Sequence, residues 1–298
     1  MRRSRITFVR SIGKGSFGEV YLGKTSAPEM RLAIKTATHH RNVVRLRMEK
    51  DIYDNLRGVI GFPRVLTNMQ SNSKLQKTWF GMTLLGMNLK QMQKLFAEHV
   101  VPVEIVCNIA AQVMYRLQAL HGTGYLHCDL KPENLMIDEK RARTVKKGIV
   151  HSAADLGTIY LIDMGLAQRF RDARTHKHVP SSTPSRIRGT LLYTSLNSHQ
   201  RLQLSRRDDL ESLAYVLVFL AKGTLPWKLS PAESAKMGKK ERYEAVKKLK
   251  QNIDLFTLCK GLPKVFRDFL SSARSMAFER EPDYAFWCNA FLGVCNKE

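Results

Sequence analysis

The chain has 298 residues and a formal net charge of +23, and 44% of its residues are hydrophobic and 25% charged. This composition excludes a disordered or fibrous chain, and the length suffices for one large two-lobed domain or for two units of about 150 residues each. The positive charge favours polyanionic partners, namely nucleic acid, a membrane surface, nucleotide phosphates or acidic proteins, without choosing among them.

The cysteines and the apolar segments indicate the class of protein. The five cysteines are odd in number and scattered, without a CxxC pair or a metal-ligand spacing, so we expect neither a disulfide scaffold nor a structural zinc site. The basic N-terminus lacks a following apolar segment, and the longest apolar run, 213–221, is shorter than the roughly 20 residues that span a bilayer. We therefore expect a soluble intracellular protein in the cytoplasm, the nucleus or both.

The pattern of apolar residues changes along the chain. Short β-branched and aromatic segments at 6–9, 20–22, 32–34 and 79–82 predict strands, and a helix is expected at 43–56. Beyond Gly86, apolar residues recur in steps of three and four. Helices are predicted at 105–120 with Gly122 as the C-terminal cap, at 208–222 closed by Gly223, at 239–251 and at 262–276. The sequence thus predicts an α+β fold with a small β-rich lobe, residues 1–85, and a larger helical lobe, residues 86–298.

A glycine-rich run between the first two predicted strands is a candidate phosphate loop. Gly13, Gly15, Gly18 and Val20 form the pattern G-x-G-x-x-G-x-V, in which the backbone can approach phosphate oxygens closely. A dinucleotide-binding fingerprint is disfavoured, because a strand rather than a helix follows the glycines. A glycine turn in an ordinary hairpin remains the alternative.

Lys35 strengthens the phosphate interpretation. It lies in an apolar predicted strand, where an ammonium group is unfavourable unless it is paired. Glu49, in the first predicted helix, is the candidate partner. Alternatively, Lys35 extends to solvent and Glu49 is one more charge on a highly charged helix.

The string His-Cys-Asp-Leu-Lys-Pro-Glu-Asn at 127–134 carries the most information. Its carboxylate, ammonium and amide, on a loop stiffened by proline, can converge on one transferring phosphoryl group. Asp129 would orient a hydroxyl and accept its proton, Lys131 would neutralise the γ-phosphoryl charge, and Asn134 would hold a metal ion. An exposed polar turn would explain these residue types but not their order.

Asp163 is a second candidate metal ligand. It follows the predicted strand 159–162 and precedes Met164 and Gly165. A carboxylate at a strand end suits Mg²⁺, which prefers hard oxygen ligands and retains phosphate contacts. In isolation, Asp-x-Gly is equally typical of a turn.

These motifs, in this order, resemble those of eukaryotic protein kinases. The strings at 169–180 and 205–213, with Ser-Leu-Asn at 195–197 and Leu-Pro-Trp at 225–227, further resemble the casein kinase I family. The resemblance covers residues 8–292. It implies a bilobal protein kinase fold with an antiparallel β-rich N-lobe, and an ATP- and Mg²⁺-dependent protein serine/threonine kinase.

The resemblance also implies individual roles. Asp129, Lys131, Lys35 and Glu49 would be the catalytic residues, and Asn134 and Asp163 the magnesium ligands. Met82 would be the gatekeeper, the Leu85 backbone would bind adenine, Asp209 would brace the catalytic loop and Thr190 would select a Ser/Thr hydroxyl. The implied ATP-binding residues are Ile12, Gly13, Lys14, Gly15, Ser16, Gly18, Val20, Ala33, Lys35, Met82, Leu85 and Leu135.

Four departures from the family pattern matter. Cys128 replaces an arginine that in many kinases holds a phosphate of the activation segment, which indicates activity without that phosphorylation. The Cys128 thiol is either reactive or packed and inert, and the second is favoured. Met164 conservatively replaces phenylalanine. The basic insertion at 140–147 is expected to form a solvated hairpin, with an added docking site as the alternative.

The fourth departure is Leu192, where the family usually carries an arginine that binds a phosphate already on the substrate. An isobutyl group cannot supply the charge or the bidentate hydrogen bonds of a guanidinium, so a preference for pre-phosphorylated substrates is called into question. Acidic sequences would still be favoured by basic groups near the site. The implied substrate-binding residues are Arg186, Arg188, Thr190, Lys239 and Arg242.

Four functions compete at this stage. An active protein kinase is favoured, because Lys35, Glu49, Asp129, Lys131, Asn134 and Asp163 are all present. The alternatives are a scaffold with the fold but no chemistry, a basic nucleic-acid-binding module and a small-molecule kinase. The chain is expected to be a monomer that acts on acidic protein substrates, with no membrane partner and without nucleic acid as its primary partner.

Overall fold

The structure is a computed structural model, and it describes residues 5–15, 18–72, 77–145, 150, 152–182 and 186–295. Five strands near the N-terminus form an antiparallel sheet in the order β1-β2-β3-β5-β4. They are β1 (Ile6–Gly15), β2 (Gly18–Ser26), β3 (Glu29–Ala37), β4 (Gln70–Asn72) and β5 (Lys77–Thr83). Helix α1 (His40–Asn55) contacts this sheet and buries Leu46, Glu49, Ile52 and Tyr53.

The remainder of the chain is mainly helical. Its helices are α2 (Leu89–Gln93), α3 (Val103–Gly122), α4 (Glu139–Val145), α5 (Leu196–His199), α6 (Arg206–Lys222), α7 (Pro231–Lys236), α8 (Lys239–Asn252), α9 (Leu255–Leu258), α10 (Lys264–Ser275) and α11 (Tyr284–Cys295). Helix α3 packs against α6 and α11, and α10 packs against α6. These contacts build the core of the larger lobe, in which nearly all of α6 is buried.

In the described residues of this part of the chain, five short strands lie between the helices. Strands β6 (Leu85–Asn88), β8 (Leu135–Asp138) and β9 (Ile159–Leu161) form one antiparallel sheet, and β7 (Tyr125–Leu126) pairs with β10 (Gln168–Arg169). The loop at 127–134 therefore leaves β7 and enters β8, whereas Asp163 follows β9. Strands β8 and β9 are adjacent and antiparallel, so the start of β8 lies beside the end of β9. Both candidate segments therefore lie at the same end of one small sheet.

The observed fold confirms the predicted α+β class, with a small N-lobe built on an antiparallel sheet and a larger, mainly helical C-lobe. The predicted division at 85/86 falls at the start of β6. None of the helices in the described part of the chain is long and apolar enough to cross a bilayer.

Two local predictions were wrong. Gly122 is the last residue of α3 rather than its cap, because the left-handed backbone that ends the helix is adopted by Gly124, with φ 86°. The stretch 140–147 is not a solvated hairpin: residues 139–145 form α4, and 146–149 lie outside the described residues. Ala142 and Val145, three residues apart on one helix face, are buried and join the hydrophobic core.

The packing of α4 can be tested through stability. Val145→Ala should lower the free energy of unfolding by about 1–3 kcal/mol, because the side chain is fully buried and its removal leaves a cavity. Arg143→Ala, on the exposed face of the same helix, should change it by less than about 0.5 kcal/mol. Urea denaturation of the two variants would contradict the packed helix if both behaved alike.

Candidate active site

A buried ion cluster joins the sheet, α1 and the segment after β9. Lys35 Nζ lies 2.6 Å from Glu49 Oε2 and 2.8 Å from Asp163 Oδ1. The predicted pairing of Lys35 with Glu49 is therefore present, and Asp163 shares the same ammonium. Burial alone would lower the pKa of Lys35, but the charges of Asp163 and Glu49 outweigh it and raise that pKa. Burial would likewise raise the pKa of Asp163, but Lys35 lowers it to about 2, so both groups stay charged.

The strand register places several of the residues expected to bind ATP. Val20 lies opposite Lys35 across β2 and β3, and Ala33 lies opposite Met82 across β3 and β5. Ala33 and Lys35 are two residues apart, so their side chains share one face of the sheet. Leu85 begins β6, and Leu135 is fully buried at the start of β8. Whether these residues bind ATP stays a prediction.

The glycine-rich run forms the turn between β1 and β2. Gly13 pairs with Val20 and Gly15 with Gly18, while Ile12 and Lys14 are exposed. A Cβ on Gly18, whose φ is 150°, would lie 1.8 Å from the Thr36 carbonyl oxygen, so glycine is required there. Ser16 lies outside the described residues.

In the loop after β7, Asp129 is held by two neighbours. Thr190 Oγ1 donates to Asp129 Oδ1 at 2.7 Å, and Lys131 Nζ donates to Asp129 Oδ2 at 2.6 Å. Lys131 Nζ also lies 3.3 Å from Thr190 Oγ1. Asn134 Nδ2 donates to the Asp129 carbonyl at 2.9 Å. The structure therefore brings together all three loop residues that the sequence singled out, with Thr190 added from a distant segment.

The same loop is fixed from below by Asp209 of α6. Its carboxylate accepts hydrogen bonds from the backbone N–H groups of His127 (2.7 Å) and Cys128 (2.9 Å), and it lies 2.9 Å from His121 Nε2. Burial would raise the pKa of Asp209, but the hydrogen bond and charge of His121 outweigh it and lower that pKa. Cys128 has a φ of 63°, an uncommon conformation outside glycine, which these hydrogen bonds help to hold.

His127 connects the loop to the strand before Asp163. Its Nδ1 accepts from the backbone N–H of Asp129 at 3.2 Å, which leaves Nε2 to donate to the Ile162 carbonyl at 3.0 Å. Two predicted metal ligands are thereby tied to one frame, because the Ile162 N–H also donates to the Asn134 carbonyl at 3.0 Å.

Asn134 and Asp163 fit a magnesium ion by their chemistry. The side-chain nitrogen of Asn134, Nδ2, donates to the Asp129 carbonyl, so the side-chain oxygen Oδ1 is the atom left to bind a metal. Asp163 keeps its carboxylate partly exposed, at 28% of the side chain, although Lys35 occupies Oδ1. Two oxygen ligands suit Mg²⁺, which retains waters and takes its other ligands from phosphates.

The residues expected to bind substrate are divided between two segments. Arg186 and Lys239 are exposed, whereas Arg188 and Arg242 are half-buried. Helix α8, which carries Lys239 and Arg242, contacts α5. The pKa of Tyr243 on this helix is raised mainly by burial and, to a smaller extent, by the charge of Asp129. This basic helix therefore lies beside the catalytic loop.

Arg188 lies near other polar groups of the site, whereas Leu192 packs against the hydrophobic core. The Arg188 charge lies close enough to Cys128 and Arg45 to affect both, and it lowers the pKa of Arg45 after burial. Leu192 packs against the core, and its carbonyl accepts from Trp227 Nε1 at 2.8 Å. Burial raises the pKa of the Cys128 thiol well above its ordinary value, as expected for an inert packed cysteine.

Tyr53 and His121 were missed at the sequence level. Tyr53 Oη accepts from the Asp163 N–H at 2.9 Å, and His121 bridges Asp209 and Tyr284 Oη, the latter at 2.6 Å. Tyr53 stands one turn after Glu49 on α1, so helical spacing placed both on one face. Nothing in the local sequence connects His121 with Tyr284, which lies far along the chain.

Fold and site together define a class of protein. A glycine turn, a strand lysine paired with a helix glutamate, a buried aspartate with lysine and asparagine beside it, and a second aspartate after β9 are the parts of a phosphotransferase. A family model, the protein kinase domain, matches residues 6–279. The chain belongs to the protein kinase domain family and is a protein kinase, an ATP-binding transferase that acts on proteins.

The bracing of the loop can be tested at Asp209. In Asp209→Asn, an amide with one oxygen acceptor and one N–H₂ group would replace a carboxylate that faces three donors. We therefore expect the loop to shift and kcat to fall by about a hundredfold. The KM for ATP should change little, because Asp209 is remote from the glycine turn. Asp51→Asn, the same change at an exposed site of α1, is the control. An unchanged kcat in Asp209→Asn would contradict the role.

Proposed function

We propose that this protein kinase is a serine/threonine kinase of the casein kinase I type, which uses Mg²⁺ and ATP and acts on acidic protein segments. The observation that carries the proposal is the triangle of Asp129, Lys131 and Thr190, with hydrogen bonds of 2.6 and 2.7 Å to the two carboxylate oxygens. Its hydroxyl, ammonium and carboxylate groups surround a place where an aliphatic hydroxyl can be oriented.

The chemistry follows from these positions. Asp129 orients the substrate hydroxyl and accepts its proton as the oxygen attacks the γ-phosphorus. Lys131 stabilises the negative charge that develops on the transferred phosphoryl group, and Lys35 holds the α- and β-phosphates while Glu49 and Asp163 keep its ammonium in place. Magnesium, held by Asn134 and Asp163, would neutralise the phosphate charge.

Activity without phosphorylation of the activation segment is part of the proposal. The Lys35–Glu49 pair and the Lys35–Asp163 contact, which a kinase needs in order to transfer phosphate, are both formed. Cys128 stands where an arginine would bind such a phosphate. These observations support a kinase whose active arrangement is its resting arrangement.

The preference for acidic substrates rests on charge. Helix α8, with the sequence KKERYEAVKKLKQN, carries Lys239 and Arg242 and contacts α5, and its Tyr243 lies close enough to be affected by the Asp129 charge. Arg186 is exposed on the segment that leads to Thr190. Such a cluster attracts acidic peptides and raises their association rate. Leu192, packed on the core, supplies no charge for a phosphate on the substrate.

The choice of acceptor can be measured directly. Wild-type protein should transfer phosphate from Mg-ATP to acidic peptides that contain serine or threonine, and not to the same peptides with tyrosine. Asp129→Asn should reduce the rate by about 10²–10⁴-fold, because the proton acceptor is lost. Equal activity on tyrosine peptides would refute the specificity. No transfer at all, with Asp163→Asn indistinguishable from wild type, would favour a scaffold.

The role of Leu192 can be measured on an array of neutral, acidic and pre-phosphorylated peptides. We expect wild type to prefer acidic over neutral sequences without a marked gain from a phosphate, and Leu192→Arg to gain at least about tenfold on pre-phosphorylated peptides, because a guanidinium binds phosphate through two hydrogen bonds. A strong preference of wild type for pre-phosphorylated peptides would contradict this interpretation. Salt-dependent binding of nucleic acid without peptide phosphorylation would instead favour the nucleic-acid module.

A further inference from the structure

Lys250, on α8, is a buried cation that the phosphoryl-transfer chemistry does not use. Lys35 and Lys250 are the two buried lysines of the described residues, and the side chain of Lys250 is fully buried. A buried ammonium is costly unless its hydrogen-bond donors are satisfied and its charge is stabilised. The groups that accept hydrogen bonds from Lys250 therefore indicate which segment it stabilises.

The ammonium group has three acceptors for its three hydrogens. Lys250 Nζ lies 2.6 Å from the Thr194 carbonyl oxygen, 3.1 Å from the Leu191 carbonyl oxygen and 3.4 Å from His199 Nε2. It also lies 4.8 Å from the ring centre of Tyr215 and 5.4 Å from that of Trp227, within the range of cation–π attraction.

The two carbonyls belong to the turn that follows Thr190. The N–H groups of Tyr193 and Thr194 donate to the Thr190 carbonyl at 2.9 and 3.0 Å, so residues 190–194 form one tight turn. Lys250 binds the carbonyls of its second and last residues, and Trp227 Nε1 binds the carbonyl of Leu192. At the other end of the turn, Thr190 Oγ1 donates to Asp129.

The charged groups around Lys250 come from three helices. Glu211 of α6 attracts its charge, whereas Arg274 of α10 repels it and donates to the Lys250 carbonyl at 3.1 Å. His199 of α5 stays neutral as an acceptor, because burial and then Lys250 lower its pKa to about 3. Burial outweighs the attraction of Glu211 and lowers the pKa of Lys250 to about 7.

We propose that Lys250 is a positioning residue for the protein substrate: its ammonium holds the turn 190–194 so that Thr190 lies against Asp129. The inference rests on the proposed function and deepens it. The Lys250 side chain is fully buried and its ammonium is used by the groups around it. It acts through the turn, and it is remote in sequence from every motif of the active site.

Lys250→Met removes the charge and the donors while keeping most of the side-chain volume. We expect kcat/KM for an acidic serine peptide to fall by about tenfold to a hundredfold, because hydrogen bonds from a charged donor are lost. The KM for ATP should stay within about twofold, since the ATP residues lie on other segments. Lys264→Met, the same change at an exposed position of α10, away from the basic helix α8, should match wild type. Thermal unfolding of all variants checks that they are folded.

The pH dependence separates positioning from a merely structural role. In wild type, the KM for a histidine-free peptide should rise as pH increases through about 7, because Lys250 loses a proton and one of its three donors. In Lys250→Arg the guanidinium stays charged, so this rise should disappear. If Lys250→Met does not fold, this comparison still decides. If neither variant folds, a flat wild-type profile overturns the proposal.

Besides that flat profile, three results would overturn the inference: unchanged peptide kinetics in a folded Lys250→Met, parallel changes in the KM for peptide and ATP, or the same pH profile in wild type and Lys250→Arg. The proposed function is judged separately. Phosphorylation of the serine peptide by wild type and by Lys264→Met supports that function whatever the Lys250 variants do, and its absence in wild type refutes both.

Discussion

The ammonium of Lys35 is the point on which the two lobes depend. It is shared by Glu49 of α1 and Asp163 of the C-lobe, at 2.6 and 2.8 Å, so the sheet, the helix and the segment after β9 meet at one charge. Burial would drive each group toward its neutral form, and their mutual attraction prevents it for Lys35 and Asp163. Removal of Lys35 would leave the Glu49 and Asp163 carboxylates without their shared counter-ion, which is strongly destabilising. Electrostatic attraction thus joins the two lobes at this point, in addition to apolar packing.

The same principle recurs beneath the cleft with backbone groups as partners. Asp209 is a buried anion that receives two N–H groups of the catalytic loop, and Lys250 is a buried cation that receives two carbonyls of the turn after Thr190. Loops lack the regular hydrogen-bond ladders of helices and strands, so a buried charge from a neighbouring helix is an effective way to fix them. Asp129 belongs to the catalytic loop and accepts a hydrogen bond from Thr190, where the turn begins, so the two loops meet at its carboxylate.

Local sequence predicted much of this arrangement and missed the rest for definable reasons. The strand lysine, the loop at 127–134 and the strong helix at 208–222 carry order and periodicity within short stretches, and the structure places them as expected. The stretch 140–147 is rich in arginine and lysine, which hid the two apolar positions that bury α4. Lys250 was indistinguishable from the other lysines of α8, because its burial is decided by α5, α6 and α10. The role of a charged side chain whose partners are distant in sequence is not visible in the segment that contains it.

The burial of α6 has a consequence for motion. Nearly every residue of this helix is inside the C-lobe, and its first turns supply Asp208, Asp209 and Glu211 to surrounding loops. Segments bonded to the most protected part of a domain open only when that part opens, whereas segments that rest on exposed hairpins open locally at little cost. The catalytic loop therefore shares the lifetime of the folded lobe, whereas β1, most of whose residues are exposed, can open locally.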